Sequence, residues 1–269
     1  MKRISKVTVI GAGNMGGAIA GAIASGTALR SEDITVTART AATLDRIRSL
    51  YPEITGFLDN RIAVHGADML ILAVKPVQLP GVIEEIRRDV DLDNVYIASV
   101  VAGVSFRELY DMFGRMPALP VFRIIPNMAA SLRKSVTFIS SDRENTDSRA
   151  QVDRIFRDMG DVIWTDETML DNGMALASCG IAYAFEYISA AIKGGMSLGF
   201  TAEQAREAVI GTVEGAVALL KADGTMPEDE IRKVATPGGY TARGLQAMED
   251  CGFTDAVRAG LVSSSVRKL

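Results

Sequence analysis

Along the first half of the chain, short runs of β-branched and apolar residues alternate with stretches whose apolar positions recur every three or four residues. Val7–Ile10, Ile34–Ala38, Met69–Val74, Tyr96–Val101 and Val121–Ile125 read as strands. The unbroken apolar run from Met69 to Val74 suits a strand buried on both faces, as parallel strands usually are. Ala18–Ala24, Ala41–Leu50 and Gly81–Asp89 read as helices, the last with Glu84, Glu85, Arg87 and Arg88 as its solvated face. This alternation predicts βαβ units stacked around a parallel sheet. Near Asp161 the texture changes: Val162-Ile163-Trp164 is the last strand-like run, and helical patterns rich in Ala, Gly and Met follow.

The pattern therefore predicts an α/β domain over residues 1–160 and an all-α domain over residues 161–269. Ala175–Leu198 is a long, weakly charged helical stretch containing Gly180, Gly194 and Gly195. A helix apolar on most sides needs neighbours or a second subunit to cover it, so self-association through the C-terminal domain is expected.

Composition narrows the chemistry. Lys and Arg total 29 against 33 Asp and Glu, a net charge of −4 that offers no global positive field to a nucleic-acid backbone. The two cysteines, Cys179 and Cys251, are too few and too distant for a disulfide scaffold or a CxxC motif, which fits a reducing cytoplasm. The basic start has no apolar stretch of a secretion signal behind it, and no apolar run appears long enough to predict a membrane span. A single histidine, His65, rules out multi-histidine metal sites, and no carboxylates are paired in a metal or glycosidase spacing. No metal is expected, and His65 reads as a surface or capping residue.

Gly11-Ala12-Gly13-Asn14-Met15-Gly16 follows the first strand directly and opens a helix. Strand, glycines and helix in this order match the dinucleotide fingerprint and predict a Rossmann-type domain. Gly11 permits the tight turn, Gly13 lets a pyrophosphate approach, and Gly16 allows close helix packing, with Asn14 and Met15 at the anion-binding helix start. A carboxylate for the ribose diol belongs at the end of the second strand, yet this chain has Ala38-Arg39-Thr40 there. A guanidinium beside a hydroxyl suits a 2′-phosphate, so NADPH is the expected cofactor and NADH the weaker one.

These residues, with Ala73-Val74-Lys75-Pro76, Arg123, Pro126-Asn127, Ala182-Tyr183-Ala184-Phe185 and Thr236-Pro237-Gly238-Gly239-Tyr240-Thr241, resemble the pyrroline-5-carboxylate reductase family nearly end to end. The resemblance implies NADPH-dependent reduction of a cyclic imino acid to proline. It places Asn60 at the cofactor ribose and Ala73, Val74, Lys75 and Pro76 against the nicotinamide half. It also implies that Thr241 hydrogen-bonds the ring nitrogen and Thr236 lines the substrate site. Pro237, Gly238, Gly239 and Tyr240 lead into a helix whose backbone N–H groups suit the substrate carboxylate; the same residues also read as a plain turn and helix cap. Lys75, at a strand end, reads equally as an attractor of phosphate or carboxylate and as a loop lysine. Tyr183 reads either as a substrate contact or as a core tyrosine with a satisfied hydroxyl.

Departures from the family pattern gather in the substrate half. Where the family has Gly-Ser-Gly-Pro-Ala-Tyr, this chain has Ser178-Cys179-Gly180-Ile181-Ala182-Tyr183; Met128-Ala129 replace Thr-Pro, and Ser135 stands at a glycine position. Two alternatives therefore stand beside proline synthesis: reduction of a different cyclic imino acid or a keto acid on the same fold, and an inactive NADPH-binding paralogue. Hydride transfer to a protonated C=N bond requires geometry more than a strong acid, which agrees with the scarcity of histidine.

Overall fold

A computed structural model describes residues 2–265. Eight strands form one sheet in the order β3-β2-β1-β4-β5-β6-β7-β8. They are β1 Val7–Ile10, β2 Ile34–Thr37, β3 Thr55–Phe57, β4 Met69–Leu72, β5 Tyr96–Ser99, β6 Val121–Ile125, β7 Ser135–Ser141 and β8 Gly160–Trp164. All neighbours run parallel except β6 and β7, which are antiparallel. The order reverses at β1, which pairs with both β2 and β4, and ligands of open α/β sheets bind beside such a reversal.

Helices α1 Asn14–Ala24, α2 Ala41–Leu50, α3 Asn60–Ala63, α4 Leu79–Ile86, α5 Phe106–Phe113 and α6 Thr146–Phe156 connect the strands. Two separate buried cores result. Ile19, Ile23, Leu44, Ile47, Val152 and Phe156 pack on one side of the sheet, and Leu79, Ile83, Ile86, Leu109 and Phe113 on the other. The expected strands are all present, although β2, β4 and β5 stop one or two residues short of the runs read from sequence. Two strands escaped the pattern. β3 is three half-exposed residues containing Gly56, and β7 buries Ser135, Thr137 and Ser140, so neither shows an apolar period.

After β8 come α7 Glu167–Gly173, a π-helical turn Met174–Cys179 and α8 Gly180–Ser197, so the expected single helix over Ala175–Leu198 is interrupted near its start. Helices α9 Ala202–Asp223, α10 Pro227–Val234, α11 Tyr240–Asp250 and α12 Phe253–Ser264 complete the described chain. Contacts divide it into one unit ending at Cys179 and another over Gly180–Ser264. β8 belongs to the sheet of the first unit, so its strands continue past Asp161, where the sequence texture changes.

Within residues 180–264, Ala205 is the one buried residue among those described. Phe185, Leu198, Leu219 and Val234 are all more than half exposed. By length and composition alone, Glu167–Ser197 is long and apolar enough to cross a membrane, with a mean hydropathy of 1.4.

Candidate functional site

The first candidate site grows from the turn between β1 and α1. Gly11 has φ +97°, and a Cβ there would lie 2.8 Å from both Ala73 O and Val74 Cγ1. Only glycine satisfies that backbone angle and that approach together. The turn is tied down by Gly11 N–H donating to Thr37 Oγ1 at 3.0 Å and Ala12 N–H donating to Thr37 O at 2.6 Å. Gly16 is equally constrained, since a Cβ would stand 2.1 Å from Gly11 O. Gly13 is different: nothing lies within 4 Å of its Cβ position, and as the N-cap of α1 it supplies no side-chain acceptor. The first N–H groups of α1 therefore face open space, which is what a pyrophosphate requires.

That space is a cavity of about 550 Å³ at the C-terminal edge of β1, β2 and β4. Of the residues expected to hold the cofactor, Gly11, Gly13, Asn14, Met15, Arg39, Thr40, Asn60, Ala73, Val74 and Lys75 line it. Gly16 and Pro76 do not; Gly16 acts through packing and Pro76 starts the 3₁₀ turn Pro76–Gln78. Arg39 is exposed and makes no hydrogen bond or ion pair among the described residues, so its guanidinium is free for an anion. Thr40 caps α2, accepting from Thr43 N–H at 3.4 Å. Asn60 Nδ2 donates to Glu85 Oε2 at 2.9 Å, leaving its oxygen open. The Lys75 ammonium has no partner among the described residues, and the Lys75 N–H donates to Gln78 Oε1 at 3.4 Å.

Sequence reasoning missed Thr37, Thr43, Leu58, Gln78 and Val82, which share this lining. Thr43 and Gln78 each stand three residues after a recognised cleft residue, at the start of a helix or 3₁₀ turn, and that spacing was the available signal. A hollow of about 650 Å³ lies elsewhere, lined by Arg3, Ala28, Arg30, Glu32 and Arg154 among others. Arg30 is neutralised there by Glu32 and Asp33, and none of the motif residues reaches it.

The helical unit carries a second candidate site of its own. Thr236, Pro237, Gly238 and Gly239 form a tight turn in which Gly239 N–H donates to Thr236 O at 2.9 Å and Gly238 has φ +73°. Proline second and a positive-φ glycine third are the residues of a type II turn. A Cβ on Gly239 would strike Thr236 Oγ1 at 2.6 Å. Gly239 caps α11 without a side-chain acceptor, so here too the helix begins with open N–H groups, at Tyr240 and Thr241. Tyr240 is 88% exposed, and the Arg243 guanidinium lies 4.7 Å from its ring centroid. Tyr183 Oη donates to Gly260 O at 3.1 Å, which pins α8 to α12. His65 is exposed at the end of α3, and Cys179 and Cys251 are free thiols. Among the described residues no three His, Cys, Asp or Glu side chains gather as metal ligands.

Residues 6–103 match the family described as NADP oxidoreductase coenzyme F420-dependent, and residues 167–268 match pyrroline-5-carboxylate reductase dimerisation. Pyrroline-5-carboxylate reductase 2 of Dictyostelium discoideum is 32% identical over 98% of this chain and 92% of its own length. The chain belongs to the pyrroline-5-carboxylate reductase family. Pyrroline-5-carboxylate reductase 1 of the same organism is 33% identical, and this chain spans about half of its length, 48%.

Among solved structures, a pyrroline-5-carboxylate reductase from Coxiella burnetii superposes with a TM-score of 0.88 at 28% identity, covering 98% of this chain and 97% of that one. The Plasmodium falciparum enzyme, solved with NADP bound, has the same fold, with a TM-score of 0.85 at 22% identity over 98% and 97% of the two chains. Membership of this reductase family also gives the apolar stretch Glu167–Ser197 a setting, because it falls wholly within the matched dimerisation region.

Proposed function

We propose that the chain reduces 1-pyrroline-5-carboxylate to L-proline with NADPH. The observation that carries the reading is the open N-terminus of α1 facing a cavity that also holds the unpaired Arg39 guanidinium. The amides of α1 hold the pyrophosphate, Arg39 and Thr40 hold the 2′-phosphate, and Asn60 holds the ribose. Ala73, Val74 and Lys75 would border the nicotinamide, which supplies the hydride when bound, and Pro76 starts the turn behind them.

The turn Thr236–Gly239 presents the first N–H groups of α11 to the substrate carboxylate, so no buried cation is needed for that charge. The Thr241 hydroxyl oxygen accepts from the N–H of the protonated imine and holds it for reduction, and Lys75 adds positive potential for the anions. Such positioning supplies several kcal/mol of barrier lowering, on the order of what orientation yields in intramolecular reactions. Tyr183 supports substrate through α8, with its hydroxyl engaged by Gly260. The reading includes assembly of at least two copies through the helical unit and a cytoplasmic setting in keeping with two free thiols.

Spectrophotometry at 340 nm with 1-pyrroline-5-carboxylate tests it: NADPH consumption matched by proline formation is expected, and no turnover at saturating substrate refutes it. Ile181 in place of the family's proline favours one other reading, a different imino-acid ring. A panel of five- and six-membered imines decides between them by the ratio of kcat/KM.

A further inference from the structure

Ser135 opens β7 and is buried together with Asn127 and Thr137. Its Oγ accepts the Asn127 N–H at 3.1 Å and lies 3.0 Å from Thr137 Oγ1. Since the Ser135 oxygen takes that amide proton, its own hydroxyl proton is available to Thr137. The Asn127 side chain is fixed in turn. Oδ1 accepts from Ala129 N–H at 3.0 Å, and Nδ2 donates to Ala177 O at 3.4 Å. This pairing sets the orientation of the amide, because an N–H faces its oxygen and a carbonyl faces its nitrogen.

Ala177 sits inside the π turn Met174–Cys179. A π turn carries one residue more than an α turn, so a carbonyl inside it is displaced from the usual ladder and takes an outside donor readily. At 3.6 residues per turn, that extra residue shifts the helical phase of the next residues by about 100°. The residues so rotated are Gly180–Tyr183, where this chain departs from its family by carrying Ile181. Ser135 is itself a departure, and glycine in its place has no hydroxyl for the Asn127 N–H. Ser135 thus begins a chain of hydrogen bonds, buried at Ser135 and Asn127, that ends at Ala177 O, four residues before Ile181.

We propose that Ser135 and Asn127 are positioning residues: through Ala177 they hold the π turn and so set the helical phase of Gly180–Tyr183 for substrate. The inference deepens the reductase reading and rests on it for its catalytic readout. S135A, N127A and the hydroxyl-retaining S135T are compared with the unaltered protein by amide hydrogen exchange and by steady-state kinetics. In S135A and N127A, exchange across residues 174–183 accelerates by about tenfold, the consequence of one lost buried hydrogen bond. KM for the imine rises several-fold while KM for NADPH stays level, and S135T restores both. Unchanged exchange at 174–183 overturns the proposal, as does acceleration spread evenly over the sheet or an equal rise in both KM values. If the unaltered protein reduces no imine, the reductase reading falls, and the exchange comparison still decides whether these residues hold the turn.

Discussion

At the scale of single residues, the glycines of the β1–α1 turn divide the labour, and substitution separates their duties. Gly16→Ala forces a Cβ to 2.1 Å from Gly11 O, so loss of folding stability is expected, by roughly 1–3 kcal/mol as in an overpacked core. Gly13→Ala meets no atom within 4 Å, so its thermal midpoint should stay within a degree or two while NADPH binding weakens. Thermal melts with and without NADPH read both effects, and a stability loss confined to Gly13→Ala contradicts the assignment.

Arg39 is tested by cofactor discrimination. Arg39→Gln should raise KM for NADPH by about ten- to a hundredfold, the range of a charge-assisted hydrogen bond, with KM for NADH nearly unchanged. Equal losses for both cofactors refute contact with the 2′-phosphate. The turn and Arg39 were legible in the sequence because each depends on local backbone and on one side chain's chemistry. Thr37 was not: its role is to tie down a turn 26 residues away, and only the β1–β2 pairing brings the two together.

At the scale of elements, the register of β1 beside β4 is fixed at its base by Asp68. Its carboxylate accepts from Ser5 N–H at 2.9 Å, Ser5 Oγ at 2.6 Å and Lys6 N–H at 2.9 Å, and pairs with Lys2 at 3.0 Å. Burial pushes its pKa up, but the Ser5, Lys2 and Lys6 donors together outweigh that and hold it below the ordinary carboxylate value. A depressed native pKa contributes stability that is fully present above the unfolded value near 4 and is lost as pH falls through the native one. Asp68→Asn should therefore cost about 1–3 kcal/mol at pH 7, and the two proteins should converge towards pH 3. Urea midpoints across pH measure this; a constant gap between them contradicts it.

The elements that the sequence pattern showed well are those with a clear apolar period, such as β4 and α4. Those it hid carry buried polar groups, as β7 does, or a change of helical pitch, as the π turn does. Both depend on partners distant in sequence: Ser135 on Asn127, and Ala177 on the Asn127 amide.

At the scale of the whole molecule, the helical unit cannot bury its own apolar surface. Phe185 on α8 is 61% exposed and Leu198, in the turn that follows α8, 81%; neither α8 nor α9 buries more than Ala205. Covering one such side chain is worth about 1.5–3 kcal/mol, so several of them favour self-association. Phe185→Glu should shift the protein towards monomer in sedimentation velocity and lower its thermal midpoint; an unchanged sedimentation coefficient places the interface elsewhere. The oligomeric tendency was readable from the apolar stretch, because its excess is a property of composition. The count of subunits is not written there.

In the proposed reaction, hydride passes from NADPH to the imine carbon. Reduction of 1-pyrroline-5-carboxylate with NADPH deuterated at the transferring position, followed by mass spectrometry and NMR of the product, tests it most directly. The predicted result is proline carrying one deuterium on the ring carbon beside nitrogen that lacks the carboxylate. Proline without deuterium, or oxidised cofactor without proline, contradicts it.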